Sequence, residues 1–308
     1  MLDDRTLLDH MRMLDDPHRL DAFARALGVA CPGRTVAEIG VGLGPLSLLA
    51  LKAGARRVYG IEVDPRTLQC TVDLLSAHGF GPDRFVPLVG RSDEIVLPEP
   101  VDVLVGELVD SIGIGENASY YLGEARRRWV RPEGLVIPGR IRIDVALTGS
   151  DRFARERCFW SETLPSRHGL DYEAVADRMA LPRRTLRIEA DEVLSATARW
   201  QDLDFGVDER VAERRSLDLE VVTAGRAEGV VVHFRLDLLG DDVFIDTAPD
   251  RAPTCWEQGF LPLPRPLDVE PGQRFRLELS APPTREPWAA VQASLDLLPP
   301  APERLSAR

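Results

Sequence analysis

Residues 101–117 read Val-Asp-Val-Leu-Val-Gly-Glu-Leu-Val-Asp-Ser-Ile-Gly-Ile-Gly-Glu-Asn and combine a buried strand with a loop that carries acids. The apolar run from Val103 to Val105 is typical of a strand in a parallel sheet that is covered on both faces. Glu107 ends this run, and Glu116 follows it after a Gly-Ile-Gly. Ligands of open α/β sheets bind beyond the carboxyl ends of the strands. The stretch therefore predicts two carboxylates that converge on a cationic ligand, with two solvated loop acids as the alternative.

Strands and helices alternate on both sides of this stretch. A helical pattern covers residues 3–28, and Pro17 must break or restart it. The remaining patterns predict strands at 35–39, 57–62, near 85–89 and at 101–106, with helices at 45–53 and about 65–78. Such an alternation indicates an α/β fold with a doubly wound parallel sheet.

The pattern changes after Pro138. Runs such as 140–147 and 229–239 favour antiparallel strands, which Gly and Pro separate. Between about 160 and 195 the apolar signal becomes weak, and a narrow helical stripe of Tyr172, Val175 and Met179 remains. The sequence thus divides into N-terminal helices (1–30), a cofactor-binding domain (31–138), a β domain (139–298) and a tail (299–308).

Composition limits the classes of partner and site. Lys and Arg number 38 against 50 Asp and Glu, a net charge of −12, which disfavours nucleic acid and anionic membranes and suits cationic ligands. No apolar run of transmembrane length and no signal peptide is found, so we expect a cytoplasmic protein. The cysteines lack CxxC and metal-ligand spacing, and we expect no metal site; they are Cys31, Cys70, Cys158 and Cys255.

A glycine-rich turn follows the first strand. Gly40, Gly42 and Gly44 let a ligand approach the backbone closely. The turn differs from the dinucleotide fingerprint because it reads GxGxG, because Glu38 precedes it, and because Glu62 ends the next strand. An acid at that strand end accepts hydrogen bonds from both ribose hydroxyls. S-adenosylmethionine therefore fits better than NAD, and a purely structural Gly-rich turn is the alternative.

These motifs and two others resemble the protein arginine methyltransferase family over nearly the whole chain. Residues 10–19, His-Met-Arg-Met-Leu-Asp-Asp-Pro-His-Arg, resemble its HxxMLxDxxR helix pattern. Residues 36–47 resemble its cofactor loop. Glu107 and Glu116 match its double-glutamate loop, and residues 254–256, Thr-Cys-Trp, resemble its Thr-His-Trp loop.

The resemblance implies both a fold and an activity. The fold is a Rossmann-like methyltransferase domain followed by an antiparallel β-barrel domain with an inserted dimerisation arm, here at about 160–195. His168-Gly-Leu-Asp-Tyr172 resembles the arm's Tyr-Gly-x-Asp element, so we expect a homodimer, with a solvated excursion as the alternative. The activity is transfer of a methyl group from S-adenosyl-L-methionine to an arginine guanidinium.

Individual residues receive roles from the same resemblance. Met13 would pack near the sulfonium, and Arg19 would hold the cofactor's carboxylate. Glu62 would bind the ribose, and Asp93 would meet the adenine amino group. Trp256 would wall the substrate pocket.

The chemistry explains the need for Glu107 and Glu116. A guanidinium has a pKa above about 12 and spreads its charge over three nitrogens, so it is a poor nucleophile. Two carboxylates fix its orientation and bias the charge away from the attacking nitrogen. Proximity to the methyl donor supplies much of the remaining acceleration. The proton can leave after methyl transfer, so no base of unusual pKa is obligatory.

Three features depart from the family pattern. Cys255 replaces the His that pairs with the acid matching Asp16, which puts any proton relay through that pair in doubt. Asp110 is similar to an acid of the monomethylating type III branch that crowds the pocket, although it can equally be a plain loop acid. If Asp110 crowds the pocket, we expect ω-N-monomethylarginine as the product. Only nine residues precede His10, and we expect looser cofactor closure.

Several alternatives remain open from the sequence. The substrate can be free arginine, a peptide or a protein, and the short N-terminal segment favours a small or peptide substrate. A catalytically silent protein that binds S-adenosylmethionine is a second class, against which the intact glutamate pair argues. A small-molecule amine or hydroxyl methyltransferase of natural-product biosynthesis is a third, in which one glutamate would be idle.

Overall fold

The computed structural model describes residues 4–172, 174, 182–207, 211, 213–281 and 291–299. Its first unit contains a sheet of five strands, namely β1 (Thr35–Ile39), β2 (Arg57–Glu62), β3 (Phe85–Val89), β4 (Val101–Val105) and β5 (Val130–Ile137). The order is β3-β2-β1-β4-β5, and every pairing is parallel. The predicted α/β class is confirmed, and the strand predicted at 101–106 ends one residue earlier.

The helices of this unit are α1 (Asp4–Leu14), α2 (Pro17–Ala30), α3 (Pro45–Lys52), α4 (Pro65–Ala77) and α5 (Ala118–Trp129). The N-terminal helical pattern breaks before Pro17, as predicted. Asp16 caps the second helix, because its carboxylate accepts a hydrogen bond from the backbone N–H of Arg19 at 3.0 Å. No helix in the described part of the chain is long and apolar enough to cross a membrane.

The second unit consists of antiparallel strands. These are β6 (Arg140–Thr148), β7 (Arg184–Leu186), β8 (Ala198–Asp204), β9 (Arg214–Glu220), β10 (Gly225–Leu239), β11 (Val243–Asp246), β12 (Gln258–Val269), β13 (Arg274–Ser280) and β14 (Gln292–Leu297). One sheet has the order β7-β12-β10-β6-β8 with β11 beside β10, and the other has the order β14-β13-β9. The predicted antiparallel domain is confirmed as two sheets, and the pairings among the described strands do not close it into a barrel.

The loop after β4 is packed between the two units. A hydrophobic core runs through both of them and contains Ile112 of this loop together with Ile141 and Ile143 of β6. Gly113 has a φ of +82°, and a Cβ atom there would lie 2.8 Å from the Cδ1 atoms of both Ile141 and Ile143. A larger residue at this position would therefore separate the loop from β6. The loop that bears the two acids is thus held by the second unit as well as by its own strand.

The segment after β6 contains the predicted arm. It begins with α6 (Asp151–Arg157) and continues through a π-helical turn (Phe159–Thr163) into α7 (Leu164–His168). The end of the predicted range, about 160–195, includes β7, which pairs with β12 and therefore belongs to the larger antiparallel sheet. The Trp160 ring lies 5.5 Å from that of Tyr172. Val175 and Met179 of the predicted stripe lie outside the described residues.

Candidate active site

The glycine-rich turn between β1 and α3 provides the floor of the site. Gly40, Gly42 and Gly44 all have positive φ angles, of 72°, 57° and 82°. A Cβ atom on Gly42 would lie 2.8 Å from Cε1 of His10, and L side chains rarely adopt its φ angle. Glycine is therefore required where the turn passes beneath α1.

Glu62 is held at the end of β2 by backbone donors. Its Oε2 accepts a hydrogen bond from the Gly42 N–H at 3.0 Å, and its Oε1 accepts bonds from Val63 and Asp64 at 2.8 and 3.1 Å. A carboxylate offers about four lone-pair positions, so Oε2 can accept a further bond. The carboxylate is thus oriented beside the turn and can receive a hydroxyl group.

A cavity of about 290 Å³ opens beside Glu62. Its lining consists of Ile39, Gly40, Ile61, Glu62, Val63, Gly90, Arg91, Ser92, Leu108 and Tyr121. Asp93 is not part of this lining. Its carboxylate instead accepts two hydrogen bonds from Arg91, at 3.0 and 2.8 Å. The mostly apolar walls and the strand-end acid fit a nucleoside, and contact between Asp93 and adenine stays a prediction.

Arg19 lies at the centre of the site and is 4% exposed. Its Nη2 donates to Oε2 of Glu107 at 2.6 Å, and its Nη1 lies 3.5 Å from the carbonyl oxygen of Met13. The guanidinium also lies 5.8 Å from the ring centroid of Trp256. Its Nε is buried and has no hydrogen-bond partner among the described residues. An unpartnered donor of this kind fits the predicted carboxylate of S-adenosylmethionine.

Burial and neighbouring acids alter the protonation of Glu116. Glu116 as a whole residue is exposed, but desolvation of its carboxylate has the largest effect and, together with the charges of Glu107 and Asp110, raises the pKa of Glu116 to about 8. The acids predicted to face the substrate therefore form one electrostatic cluster. A cation placed between Glu107 and Glu116 would relieve this repulsion and favour the ionised form of Glu116.

Asp110 is bonded to its own loop. Its Oδ1 accepts the Gly115 N–H at 2.8 Å, and a Cβ atom on Gly115 would lie 1.8 Å from its Oδ2. Burial raises the pKa of Asp110, although backbone N–H groups of the loop oppose the shift. These contacts favour the loop-acid interpretation over direct contact with the substrate, because the carboxylate closes the turn between Glu107 and Glu116.

Contacts from the second unit fix the outer side of this loop. Ser111 Oγ donates to the carbonyl oxygen of Trp256 at 2.8 Å and lies 2.9 Å from Thr185 Oγ1. The Trp256 indole N–H donates to the Val109 carbonyl at 2.6 Å. Trp256 is therefore fixed against the loop, in a position consistent with the predicted pocket wall.

Cys255 meets Asp16 through its backbone. The Cys255 N–H donates to Oδ2 of Asp16 at 2.7 Å, while the other oxygen of Asp16 caps α2. Burial raises the pKa of the Cys255 thiol to about 12, so the thiol stays protonated at neutral pH. Asp16 thus joins the loop of Trp256 to the helix of Arg19, and the thiol offers no group that titrates near neutrality.

Several residues lie at the site for which the sequence predicted no role. The His10 ring lies over Gly42, and burial lowers its pKa even though Glu62 opposes the shift. Arg91 and Tyr121 line the cavity. The spacing of His10 from Met13, one helical turn, was the available signal for His10. No comparable signal in the sequence identified Arg91 or Tyr121.

Comparisons with known proteins identify relatives of this chain. The protein-family model of the arginine methyltransferase oligomerization subdomain matches residues 143–297. An arginine N(omega)-methyltransferase of Streptomyces achromogenes subsp. streptozoticus is 30% identical over 279 residues, which cover 88% of this chain and 75% of the relative. A probable protein arginine N-methyltransferase 6 of Arabidopsis thaliana is 23% identical, over 86% of this chain and 70% of the relative.

Solved structures share the fold. The Trypanosoma brucei PRMT1 enzyme–prozyme heterotetrameric complex with AdoHcy aligns with a TM-score of 0.80 at 23% identity, covering 94% of this chain and 92% of that one. Arabidopsis thaliana protein arginine methyltransferase 10 aligns with a TM-score of 0.76 at 23% identity, over 88% and 86% of the two chains.

Proposed function

The chain belongs to the arginine methyltransferase family, and from this premise we propose that its site methylates a guanidinium nitrogen of arginine with S-adenosylmethionine. The observation that carries the proposal is the pair of Glu107 and Glu116 on the loop after β4, of which Glu107 is largely buried and Glu116 reaches the surface. The charge of Glu107 contributes to raising the pKa of Glu116, so the two acids act on each other across this loop. A guanidinium is the side-chain cation whose planar donors match two carboxylates.

The residues around the glycine turn fit the cofactor. Glu62 would accept one ribose hydroxyl at its remaining lone pair, since three backbone N–H groups occupy the others, and Arg19 would use its unpartnered Nε for the carboxylate. His10 would cover the cofactor above Gly42. When bound, S-adenosylmethionine supplies an electrophilic methyl group on a sulfonium centre. The residues of the chain therefore have to position the nucleophile, exclude water and accept a proton.

Glu116 is suited to handle that proton. In the free site its pKa of about 8 keeps much of it protonated at neutral pH. A bound guanidinium stabilises the carboxylate, so substrate binding releases this proton. Methyl transfer to the protonated guanidinium would give it a second positive charge and leave the sulfur donor neutral, so the guanidinium then loses one proton. Glu116 can take up this proton, and the methylated product stays a singly charged cation.

We also propose ω-N-monomethylarginine as the product. In this proposal Asp110 limits methylation by holding the loop in place and does not contact the substrate. Asp110 closes the loop through Gly115, and Ser111 fixes the same loop to the carbonyl oxygen of Trp256. A wall held on both sides cannot expand easily around an added methyl group. A methylated guanidinium also has one donor fewer, so it leaves a carboxylate acceptor unpaired when it binds again.

We propose a homodimer that forms through the segment at about 160–195. The matching family model is described as an oligomerization subdomain, which supports assembly in general. Phe159 is 40% exposed beside Trp160, so the π-helical turn presents aromatic surface. Four apolar residues of α1 are also exposed, namely Leu7, Leu8, Met11 and Leu14. A second copy of the chain is the partner that would cover these surfaces.

Mass spectrometry of reactions with S-adenosylmethionine tests the function. Free arginine, an arginine peptide and an arginine-rich protein should be assayed in parallel. The expected result is a gain of one methyl group on a guanidinium, with loss of turnover in both Glu107→Gln and Glu116→Gln. A protein that binds the cofactor and methylates none of the three would support the silent class. Activity that survives in one glutamine variant would support another methyl acceptor.

A second experiment tests the proposed product. Asp110→Gly removes the carboxylate that closes the loop, and we expect a minor dimethylated product at saturating cofactor. Asp73→Gly, at an exposed position of α4, is the matched control and should still stop at one methyl group. Wild-type enzyme that readily makes dimethylarginine would refute the product assignment. Light scattering at micromolar concentration tests the homodimer, and a monomer mass would exclude it.

A further inference from the structure

An ion pair lies on the solvent side of the buried cluster. Arg12 of α1 and Glu257 have their charged atoms 4.0 Å apart, and their side chains are 52% and 37% exposed. Arg12 precedes Met13 and Glu257 follows Trp256, and both of these neighbours contact Arg19. The pair therefore bridges α1 and the loop of Trp256 directly outside the cluster that holds Glu107.

The backbone at Glu257 has an uncommon conformation. Its φ angle is +49°, in the left-handed region that non-glycine residues seldom occupy. The Glu257 N–H donates to the Thr254 carbonyl at 3.1 Å, so the residue ends a tight turn after Trp256. Such conformations persist only where the surroundings impose them, and they are frequent at ligand-binding sites. The turn brings an acid next to Arg12, one residue after Trp256, whose ring faces Arg19.

We infer that Arg12 and Glu257 bind the α-carboxylate and the α-ammonium of free L-arginine, an inference that rests on the function proposed above. Once a guanidinium lies between Glu107 and Glu116, the other end of the substrate extends towards solvent. In free arginine that end carries one negative and one positive charge. In a peptide both charges are replaced by neutral amides. Amides carry no charge that could replace the Arg12–Glu257 contact with two new ion pairs.

The contact between Arg12 and Glu257 suits such an exchange. At 4.0 Å and with both side chains exposed, the pair contributes little to stability, so a ligand can replace it without large loss. The guanidinium of Arg12 can then bind a carboxylate through two parallel donors. Glu257 can accept the ammonium, and the opposite charges of the zwitterion keep the whole arrangement neutral.

Calorimetry in the presence of S-adenosylhomocysteine can measure the affinity for three ligands that differ in these two charges. L-arginine carries both charges, agmatine lacks the carboxylate, and Nα-acetyl-L-arginine lacks the ammonium. We expect Arg12→Gln to weaken L-arginine binding about tenfold and to leave agmatine unchanged. We expect Glu257→Gln to weaken L-arginine similarly and to leave Nα-acetyl-L-arginine unchanged. Arg12→Lys should retain part of the affinity for L-arginine because it keeps the charge.

Arg25→Gln is the matched control, since Arg25 is an exposed arginine of α2. It should bind all three ligands as the wild type does. Equal losses for all ligands in Arg12→Gln, or wild-type binding of L-arginine no tighter than agmatine, would overturn the inference. If the wild type nevertheless methylates arginine peptides, the proposed function stands, and only the binding of free L-arginine by Arg12 and Glu257 is refuted. Absence of both guanidine binding and methyl transfer to peptides would overturn both.

Discussion

The site has a cofactor half, formed by the glycine turn and Glu62, and a substrate half, formed by the loop of Glu107 and Glu116 together with the loop of Trp256. The contacts in these two halves join residues that are separated by very different distances along the chain. The contact that organises the cofactor half, Gly42 to Glu62, joins residues 20 positions apart. In the substrate half, the indole of Trp256 reaches the Val109 carbonyl across 147 positions, and the backbone of Cys255 reaches Asp16 across 239. The first half therefore forms within one strand–helix–strand unit, whereas the second forms only when both units of the chain pack together.

This difference shows where each half is vulnerable. The cofactor half depends on backbone geometry, because positive φ angles at its glycines and N–H groups around Glu62 define it. The substrate half depends on charges that act on one another, since the charges of Glu107 and Asp110 both raise the pKa of Glu116. Substitutions should therefore separate the two halves, with affinity for the cofactor reporting on one and turnover on the other.

The largest expected effect comes from Glu116→Gln. We expect kcat to fall by about 100-fold to 1,000-fold, the usual result of removing one preorganised electrostatic group from an active site. Cofactor affinity measured by calorimetry should stay within about twofold, because Glu116 belongs to the substrate half. Glu133→Gln, at an exposed position of β5, is the control and should change neither quantity. A comparable loss of cofactor affinity would break the division into halves.

Glu62→Ala should act on the other half. It removes the proposed acceptor of a ribose hydroxyl and leaves the N–H groups of Gly42, Val63 and Asp64 without their carboxylate. We expect the dissociation constant of S-adenosylhomocysteine to rise by about 10-fold to 100-fold. Undiminished affinity in titration calorimetry would refute the cofactor assignment. Asp73→Ala, an exposed acid on α4, serves as the control.

The pH dependence should come from Glu116, whose pKa rises from an ordinary 4.5 to about 8. The ionised form pairs with the guanidinium, so kcat/KM should increase about tenfold per pH unit until about pH 8 and then level off. The residual activity of Glu116→Gln should not show this increase of kcat/KM between pH 6 and 8. A flat wild-type profile between pH 6 and 8 would show that Glu116 is already ionised.

The same pKa shift has a consequence for stability. The folded protein holds the Glu116 proton more tightly than the unfolded chain does. The resulting contribution is fully present below about pH 4.5 and is lost as pH rises through about 8. Relative to wild type, Glu116→Gln should therefore gain melting temperature as pH increases over this window.

The smallest effect is expected for Cys255→Ala. Alanine keeps the hydrogen bond from the backbone N–H of residue 255 to Asp16 and loses only the weaker contact of the thiol with that carboxylate, so kcat/KM should change by less than about threefold. Asp16→Ala leaves two N–H groups unpaired, those of Arg19 and Cys255, and should cost about 1–3 kcal/mol in unfolding free energy. A loss of activity in Cys255→Ala as large as that in Asp16→Ala would assign a role to the thiol.

The elements of the first unit were predictable because their signals are local. The strands at 35–39, 57–62 and 85–89 were predicted with the observed bounds, since apolar runs end there at Gly, Pro or charged residues. The break at Pro17 was also predictable, because proline sterically disfavours a helix interior. The segment containing Tyr172 was less informative, and its stripe continues beyond the described residues.

Side-chain roles were harder to predict. The sequence placed Asp110 beside the two glutamates but did not show whether its carboxylate faces a ligand or its own loop. The Gly115 N–H decides this in the structure, because a backbone donor at 2.8 Å satisfies the acid locally. His10 belonged to a recognised motif, yet its contact with Gly42 depends on how α1 crosses the glycine turn.

The sequence by itself determined the alternation of strands and helices as far as β4, the glycine turn with its strand-end acid, and the two glutamates of the loop after β4, whereas α5 and β5 were not predicted. These features follow from periodicity, from backbone sterics and from the position of a loop at the end of a parallel strand. Only the tertiary structure decided that Arg19 contacts Glu107, and that Asp16 ties α2 to the backbone of Cys255. The physical reason is that burial and charge proximity, which set such pairings and the pKa of Glu116, arise when distant segments pack and have no period along the chain.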